Sequence, residues 1–318
     1  MIELVLTPGS THRIRFAVSP LDETMAAVQV LLGLRGHPAH APWRAEVAAT
    51  ARELPITELR QVLSGASYIT DFLGPPPTGP ETTAEAQLAE VRRTPPAQVA
   101  AELSLVDADL TGLPEDPATA RDLLADQMEL AWSHLVAPFW PRLRDLLAAD
   151  ITYRAHRLAV GGIAEALGDL HTRVRLVNDA LVVRSATRSR TVLDERGLLF
   201  VPSAFAWPRI GVIVVPPWQP ALLYPARGVG SLWSREGTTE DRRLAAVVGR
   251  TKALLLAALD EPASTTALAR RLDLSPGTVS EHLTALREAG ILTADRNGRT
   301  VLYRRTSLAD ALLGARQP

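Results

Sequence analysis

No cysteine occurs in this chain. A disulfide framework and a thiolate metal site are thereby excluded. No apolar run approaches the roughly 18 residues that a bilayer-crossing helix needs, so no membrane partner is expected. Lysine is almost absent: Lys252 is the single one among 34 basic residues, a compositional bias that carries no mechanism by itself. The opening residues through Phe16 lack a basic stretch followed by a long apolar core. No secretion signal is expected from them, and a cytoplasmic location follows by default.

The 318 residues suffice for two or three domains, each with its own core. Hydrophobic residues at 47% and charged residues at 22% mark ordered globular material. The net charge of −1 is unevenly spread, with ten basic against seven acidic side chains over residues 250–318 and the acidic surplus before them. Phosphate attraction needs positive charge at that end, although so small an asymmetry also arises by chance.

Residues 2–6 and 13–18 alternate like strands around Pro8-Gly9-Ser10, which predicts a hairpin. Ser19-Pro20 opens a helix over 21–34, with Asp22 and Glu23 at its positive end and Gly36-His37-Pro38 as its stop. Short helices are expected to about residue 72, then a Pro-rich loop at 74–80. Helices resume at 83–93 and 96–103, and a long pair covers 118–149 and 151–168, bent at Pro138 and Pro141. From 172 to 233 the pattern shortens to strands at 174–177, 181–184, 190–193, 198–201, 210–215 and 221–224, with turns at Asn178-Asp179 and Glu195-Arg196-Gly197. A further helix starts at a Thr239 cap and runs to about residue 259. The fold class is therefore α+β: a mixed helical and β N-terminal domain over 1–238, followed by a C-terminal winged helix-turn-helix over 239–318.

That last assignment rests on residues 268–305. A helix over 265–272 carries Leu268 and Leu272 on one face, with Ala269 small where two helices cross. Asp273-Leu274 makes the turn, Ser275 caps the next helix, and Pro276 occupies its first turn. Val279, Leu283 and Leu286 form the inward stripe, leaving Gly277, Thr278, Glu281 and Thr284 on the opposite arc with Ser280 at its edge. Short polar side chains near a helix N-terminus fit the DNA major groove. Glu281 suits a cytosine amino group, Thr278 a thymine methyl or a phosphate, and Gly277 a close backbone approach; Arg287 points toward a phosphate. For His282, at the buried boundary, packing and phosphate contact are both open. Gly290 closes the helix. Strands over 291–295 and 300–305 then pair across Arg296-Asn297-Gly298-Arg299, with Asn-Gly as the two-residue turn and the two arginines placed for phosphate or the minor groove. Arginines on a solvated turn say little alone; beside a capped recognition-type helix they point to double-stranded DNA.

The sequence LARRLDLSPGTVSEHLTALREAGIL followed by RNGRTVLYR resembles the arsenical-repressor-like (ArsR-like) winged-helix regulators of bacteria, and VVGRTKALLLAALDEPASTTA is similar to the first helices of that domain. The resemblance covers about the last quarter of the chain. It implies a homodimer on a near-palindromic operator, released by an inducer. Its base-reading positions fall on Thr278, Ser280, Glu281 and His282, and its wing contacts on Arg296 and Arg299. Most such helices carry a basic or amide residue where this chain has Glu281. Metal-sensing members place a Cys-x-Cys pair where Ser264 and Thr266 stand here, and residues 307–318 hold no histidine, so no metal site is expected. The order of hairpin, helical middle, β-rich segment and winged helix resembles a long subgroup of these regulators with a large N-terminal domain.

That large N-terminal region calls for a role in dimerisation, in sensing a small-molecule effector, or in both. Trp132 and Trp140 in the helical stretch and Trp207 and Trp218 in the strand region are its candidate ligand-binding rings, core filling being the alternative for each. Arg157, His156 and His171 suit an acidic ligand, or simply a solvated helix face. No nucleophile elbow, phosphate loop or His-Glu-x-x-His motif is present, so neither an enzyme nor a cofactor is expected. Gly161-Gly162 follows helical residues rather than a strand; Asp107 and Asp109 read as an exposed loop, and His37 and His40 as part of a Pro-rich turn. Two rival readings are a winged-helix protein-interaction module and an enzyme with an appended regulatory domain.

Overall fold

A computed structural model describes residues 1–65, 68–233, 244–245, 247–259, 262–272, 274–297 and 300–313. The chain divides into two compact units, Met1–Arg227 and Gly228–Pro318. That division falls N-terminal to the expected 238/239 boundary. Thr239, the expected helix cap, lies outside the described residues.

Two four-stranded sheets anchor the first unit. One runs β3 (Val174–Val177), β4 (Ala180–Val183), β1 (Ile2–Val5), β5 (Ser189–Val192). The other runs β2 (Ile14–Phe16), β6 (Leu198–Ser203), β8 (Ala221–Pro225), β7 (Gly211–Ile213). Leu4, Leu181 and Val183 from the first sheet share a core with Leu198, Phe200, Leu222 and Tyr224 from the second. Leu199, Val201 and Ala221 point into another cluster. Strand β6 is therefore buried along its whole length, as suits a strand covered on both faces.

The expected N-terminal hairpin does not form. β1 pairs with β4 and β5, while β2 pairs in parallel with β6, so the two belong to different sheets. Residues Pro8–Thr11 make one helical turn, α1. Thr7 and Ser10 cap each other reciprocally and Pro8 sits in the first turn, so the cluster that resembled a strand-to-strand turn starts a helix instead. The turn at Asn178-Asp179 does form, with Val177 opposite Ala180 and Asn178 at φ 52°.

Around the sheets lie α2 (Pro20–Leu31), α3 (Ala41–Glu53), α4 (Thr57–Leu63), α5 (Ala84–Arg93), α6 (Pro96–Leu103), α7 (Pro117–Ala131) and α8 (Trp140–Leu167). The expected helix over 118–149 is interrupted: a π-helical turn, Trp132–Val136, and a 3-10 turn, Ala137–Phe139, separate α7 from α8. Pro138 lacks the amide that a continuous helix needs, and Pro141 sits in the first turn of α8. Nor does α8 break near residue 150 as expected; it kinks at Gly162, whose φ of 70° is outside helical space.

The second unit packs α9 (Arg250–Ala258), α10 (Thr265–Leu272), α11 (Pro276–Glu288) and α12 (Ser307–Leu312) with a three-stranded sheet. Its strand order is β10 (Leu292–Asn297), β11 (Thr300–Arg305), β9 (Ala263–Ser264). Leu255, Leu256, Leu268, Val279, Leu283, Leu286 and Tyr303 fill its core. The expected continuous helix to residue 259 is interrupted at Gly249, at φ 88° and ψ 147°.

Candidate nucleic-acid interface

Helix α10 is capped by the Ser264 hydroxyl, which accepts from the Ala267 amide at 3.2 Å. The amide of Leu274 returns to the Ala269 carbonyl at 2.9 Å, which ends that helix. Asp273, the expected turn residue, lies outside the described residues. Ser275 starts α11: its hydroxyl accepts from the Thr278 amide at 3.1 Å and lies 2.8 Å from the Thr278 hydroxyl.

The inward stripe anchors α11, with Val279 and Leu283 fully buried and Leu286 nearly so. The opposite arc is open. Ser275, Gly277, Ser280, Glu281 and Arg287 are exposed, and Thr278, His282 and Thr284 are half-buried. Among the described residues, the side chains of Ser280, Glu281, His282, Thr284 and Arg287 make no hydrogen bond or ion pair. Among the described residues a Cβ at Gly277 would meet only the Ser275 hydroxyl, at 3.8 Å, so their packing does not require glycine there. Gly290, at φ 72°, closes α11, with its own amide on the Arg287 carbonyl and that of Ile291 on the Leu286 carbonyl, both at 2.9 Å.

The strands pair two residues out of the expected register, with Asp295 opposite Leu302 instead of Thr300. Arg296 pairs with Val301 and Asn297 with Thr300, so Asn297 ends β10 instead of opening the expected Asn297-Gly298 turn. Strand pairing extends one residue further than the local preference of Asn-Gly for a turn predicts. Arg299 lies outside the described residues. Thr306 ties the end of β11 back to α11: its hydroxyl donates to the carbonyls of Gly290 and Ile291 at 3.1 and 2.9 Å. Arg305 is held by Asp310 at 3.0 Å, and Arg271 by the Ala258 carbonyl at 2.9 Å. Arg270 and Arg304 are exposed, without a side-chain hydrogen bond or ion pair among the described residues. The sequence reading missed both. For Arg304 the signal was the alternation against buried Tyr303 next to it.

Residues 253–294 match the family model of a helix-turn-helix domain. The C-terminal unit is a helix-turn-helix domain. The protein is accordingly a DNA-binding transcription regulator, with α11 in the recognition position and the β10–β11 hairpin as its wing. Residues 87–230 match a family of unknown function (DUF5937). No curated protein and no solved structure matches the chain. Among the described residues, no helix of this regulator is long and apolar enough to cross a membrane.

In the N-terminal unit the four candidate tryptophans occupy three places. Trp132 and Trp140 stack edge-on at 5.0 Å. Trp207, 42% exposed, lies 6.2 Å from the His37 ring and 5.8 Å from that of His171. Trp218 donates to the Glu102 carboxylate at 3.0 Å. The rings thus do not converge on a single binding site. His37 and His40 cap the 3-10 turn Pro38–His40, and His40 also contacts the Ala204 carbonyl at 3.0 Å. Asp109 accepts from the Thr111 amide within an exposed loop, and His156 is exposed.

Two buried polar networks escaped the sequence reading. In the first, Arg154 and Tyr224 both donate to Asp150, at 3.2 and 2.7 Å, and Arg154 reaches the Ala166 carbonyl at 2.9 Å. It ties both sides of the Gly162 kink to β8. Arg157, a candidate for an acidic ligand, instead binds Glu165, Asp169 and the Tyr153 hydroxyl. In the second, the buried Asp22 and Glu23 face the half-buried Arg35, and the half-buried Asp71 lies near Asp22 and Glu102. Burial pushes Asp22 and Asp71 up to about 7 and Glu23 up to about 8, while Arg35 falls to about 10 for the same reason. The Glu23 carboxylate accepts the Ala204 amide at 2.9 Å.

Proposed function

We propose that this regulator is an ArsR-like repressor that binds a near-palindromic duplex operator as a homodimer and is released by a small-molecule effector. In this reading the N-terminal unit senses and dimerises, the protein works in the cytoplasm, and it needs neither catalysis, cofactor nor metal. The observation that carries the reading is the open arc of α11, where the side chains of Ser280, Glu281, His282, Thr284 and Arg287, around a packed apolar stripe, have no partner among the described residues. Unpartnered polar groups on a rigid helix are what base edges and phosphates require.

Exposed Glu281 favours a second reading, a winged-helix module that binds another protein, because an acid at the centre of the face repels phosphate. Mapping the sites occupied in living cells separates the two. The regulator reading expects symmetric half-sites about 34 Å apart, or a multiple of that. It also expects neighbouring genes to rise when the protein is deleted. Occupancy without a shared symmetric motif favours the interaction module.

A further inference from the structure

The N-terminal unit carries a cleft with a basic lining. Its volume is about 340 Å3, and its walls are His12, Arg13, Arg15, Arg196 and Gln219. Three segments build it: the turn after α1 leading into edge strand β2, the turn before β6, and the loop between β7 and β8. They are interlocked. Arg196 binds the Asp194 carboxylate at 2.9 Å and donates to the carbonyls of Pro217 and Trp218 at 3.2 and 2.7 Å. The Gln219 amide nitrogen donates to the Arg196 carbonyl at 2.9 Å, and its oxygen accepts from Arg15 at 2.7 Å. Gly197, at φ +75°, presses the turn against Arg13 so closely that a Cβ would sit 2.2 Å from the Arg13 carbonyl oxygen. The walls are therefore positioned before anything enters.

The charges of this cleft are not balanced from within. None of its five lining residues is acidic, and Asp194 is already engaged by Arg196. Among the described residues, the side chains of His12 and Arg13 make no hydrogen bond or ion pair, and Arg15 engages one nitrogen only. A concave surface of one sign focuses its field, and guanidinium forks match the oxygens of carboxylate and phosphate. The volume lies in the range of small-molecule sites.

We propose that this cleft binds a small oxyanion, a metabolite bearing carboxylate or phosphate groups, and that it is the effector site of the N-terminal unit. The binding stands without DNA; its role as effector site rests on the ligand-responsive reading above.

The test is calorimetric titration of the full chain, without DNA, by citrate and separately by pyrophosphate at constant ionic strength. Saturable binding of at least one is expected, and the two arms distinguish a carboxylate from a phosphate ligand. The Arg13→Ala, Arg15→Ala double variant should bind at least about tenfold more weakly. The Arg13→Lys, Arg15→Lys variant, which keeps the charge without the fork, should recover only part of the affinity. Arg190→Ala, on exposed β5, should change nothing. No saturable binding of either anion, or equal binding by the wild type and the double alanine variant, overturns the proposal. Loss of operator binding with anion binding intact would count against the regulator reading alone.

Discussion

The hydroxyls of Ser275 and Thr278 lie 2.8 Å apart, and the Ser275 oxygen also accepts the Thr278 amide at 3.1 Å. One residue thus fixes the first turn of the recognition helix and one of the side chains expected to meet DNA. Ser275→Ala removes both contacts. Loss of an N-cap costs about 1 kcal/mol. The C-terminal unit should melt at a lower temperature by calorimetry, and operator affinity should fall with it. An unchanged transition would show that the cap is dispensable.

Gly277 makes a sharper separation of fold from function. Among the described residues nothing occupies the space its side chain would take, and alanine favours helix by up to about 1 kcal/mol. Gly277→Ala should leave the unfolding transition unchanged or raise it, while DNA binding weakens by about tenfold if backbone approaches DNA there. Filter binding beside calorimetry reads both quantities. Full affinity in this variant would mean that no duplex comes near this turn.

The buried carboxylates make the stability of the N-terminal unit pH-dependent. Asp22, Glu23 and Asp71 have folded-state values raised by burial to about 7, 8 and 7, so the folded unit holds protons that the unfolded chain has released. Their stabilisation is complete below the unfolded carboxylate range and is lost as pH rises to about 8. His40 acts in the opposite sense. Burial lowers it to about 4, so its contribution is lost only as pH falls below the ordinary histidine range. Between pH 6.5 and 8.5 the carboxylates therefore dominate among these groups. The melting temperature should drop across that interval, and Glu23→Gln should flatten the drop. A midpoint rising with pH in the wild type would contradict the assignment.

Asp150 should be a sensitive polar site in the same unit. It accepts from Tyr224, from Arg154 and from the Arg227 amide, and the Arg154 side chain is fully buried. Asp150→Ala leaves that guanidinium with Asp169, at 3.1 Å, as its remaining carboxylate, and leaves the buried donors of Arg154 and Tyr224 that faced Asp150 unsatisfied, a loss of about 1–3 kcal/mol. Urea unfolding monitored by tryptophan fluorescence gives the value. A loss within about 0.5 kcal/mol would mean that water reaches Arg154.

The helix-turn-helix was legible because its determinants are local. Ser275, Pro276, Gly290 and the stripe of Val279, Leu283 and Leu286 act within one or two turns of each other. The strands from Val174 to Pro225 were legible as strands for the same reason. Their partners were not: β2 joins β6 across the length of the unit, a pairing that Arg13–Val18 does not encode. The reciprocal cap of Thr7 and Ser10 was readable in principle, but Pro-Gly outweighed it. The buried charges could not be foreseen, because Asp22 and Glu23 also look like ordinary carboxylates at the exposed start of a helix. The basic cleft draws its residues from three distant segments, so no spacing announces it.

The most direct test is fluorescence anisotropy of the full chain on duplexes tiling the promoter region of its own gene, over about 50 to 200 mM salt. The wild type should select one duplex, with affinity falling steeply with salt. The Ser280→Ala, Glu281→Ala variant should lose about 1–3 kcal/mol of that selectivity per base contact while keeping the salt dependence. Equal binding to every duplex, or the same selectivity in the variant, would contradict a base-reading role for α11.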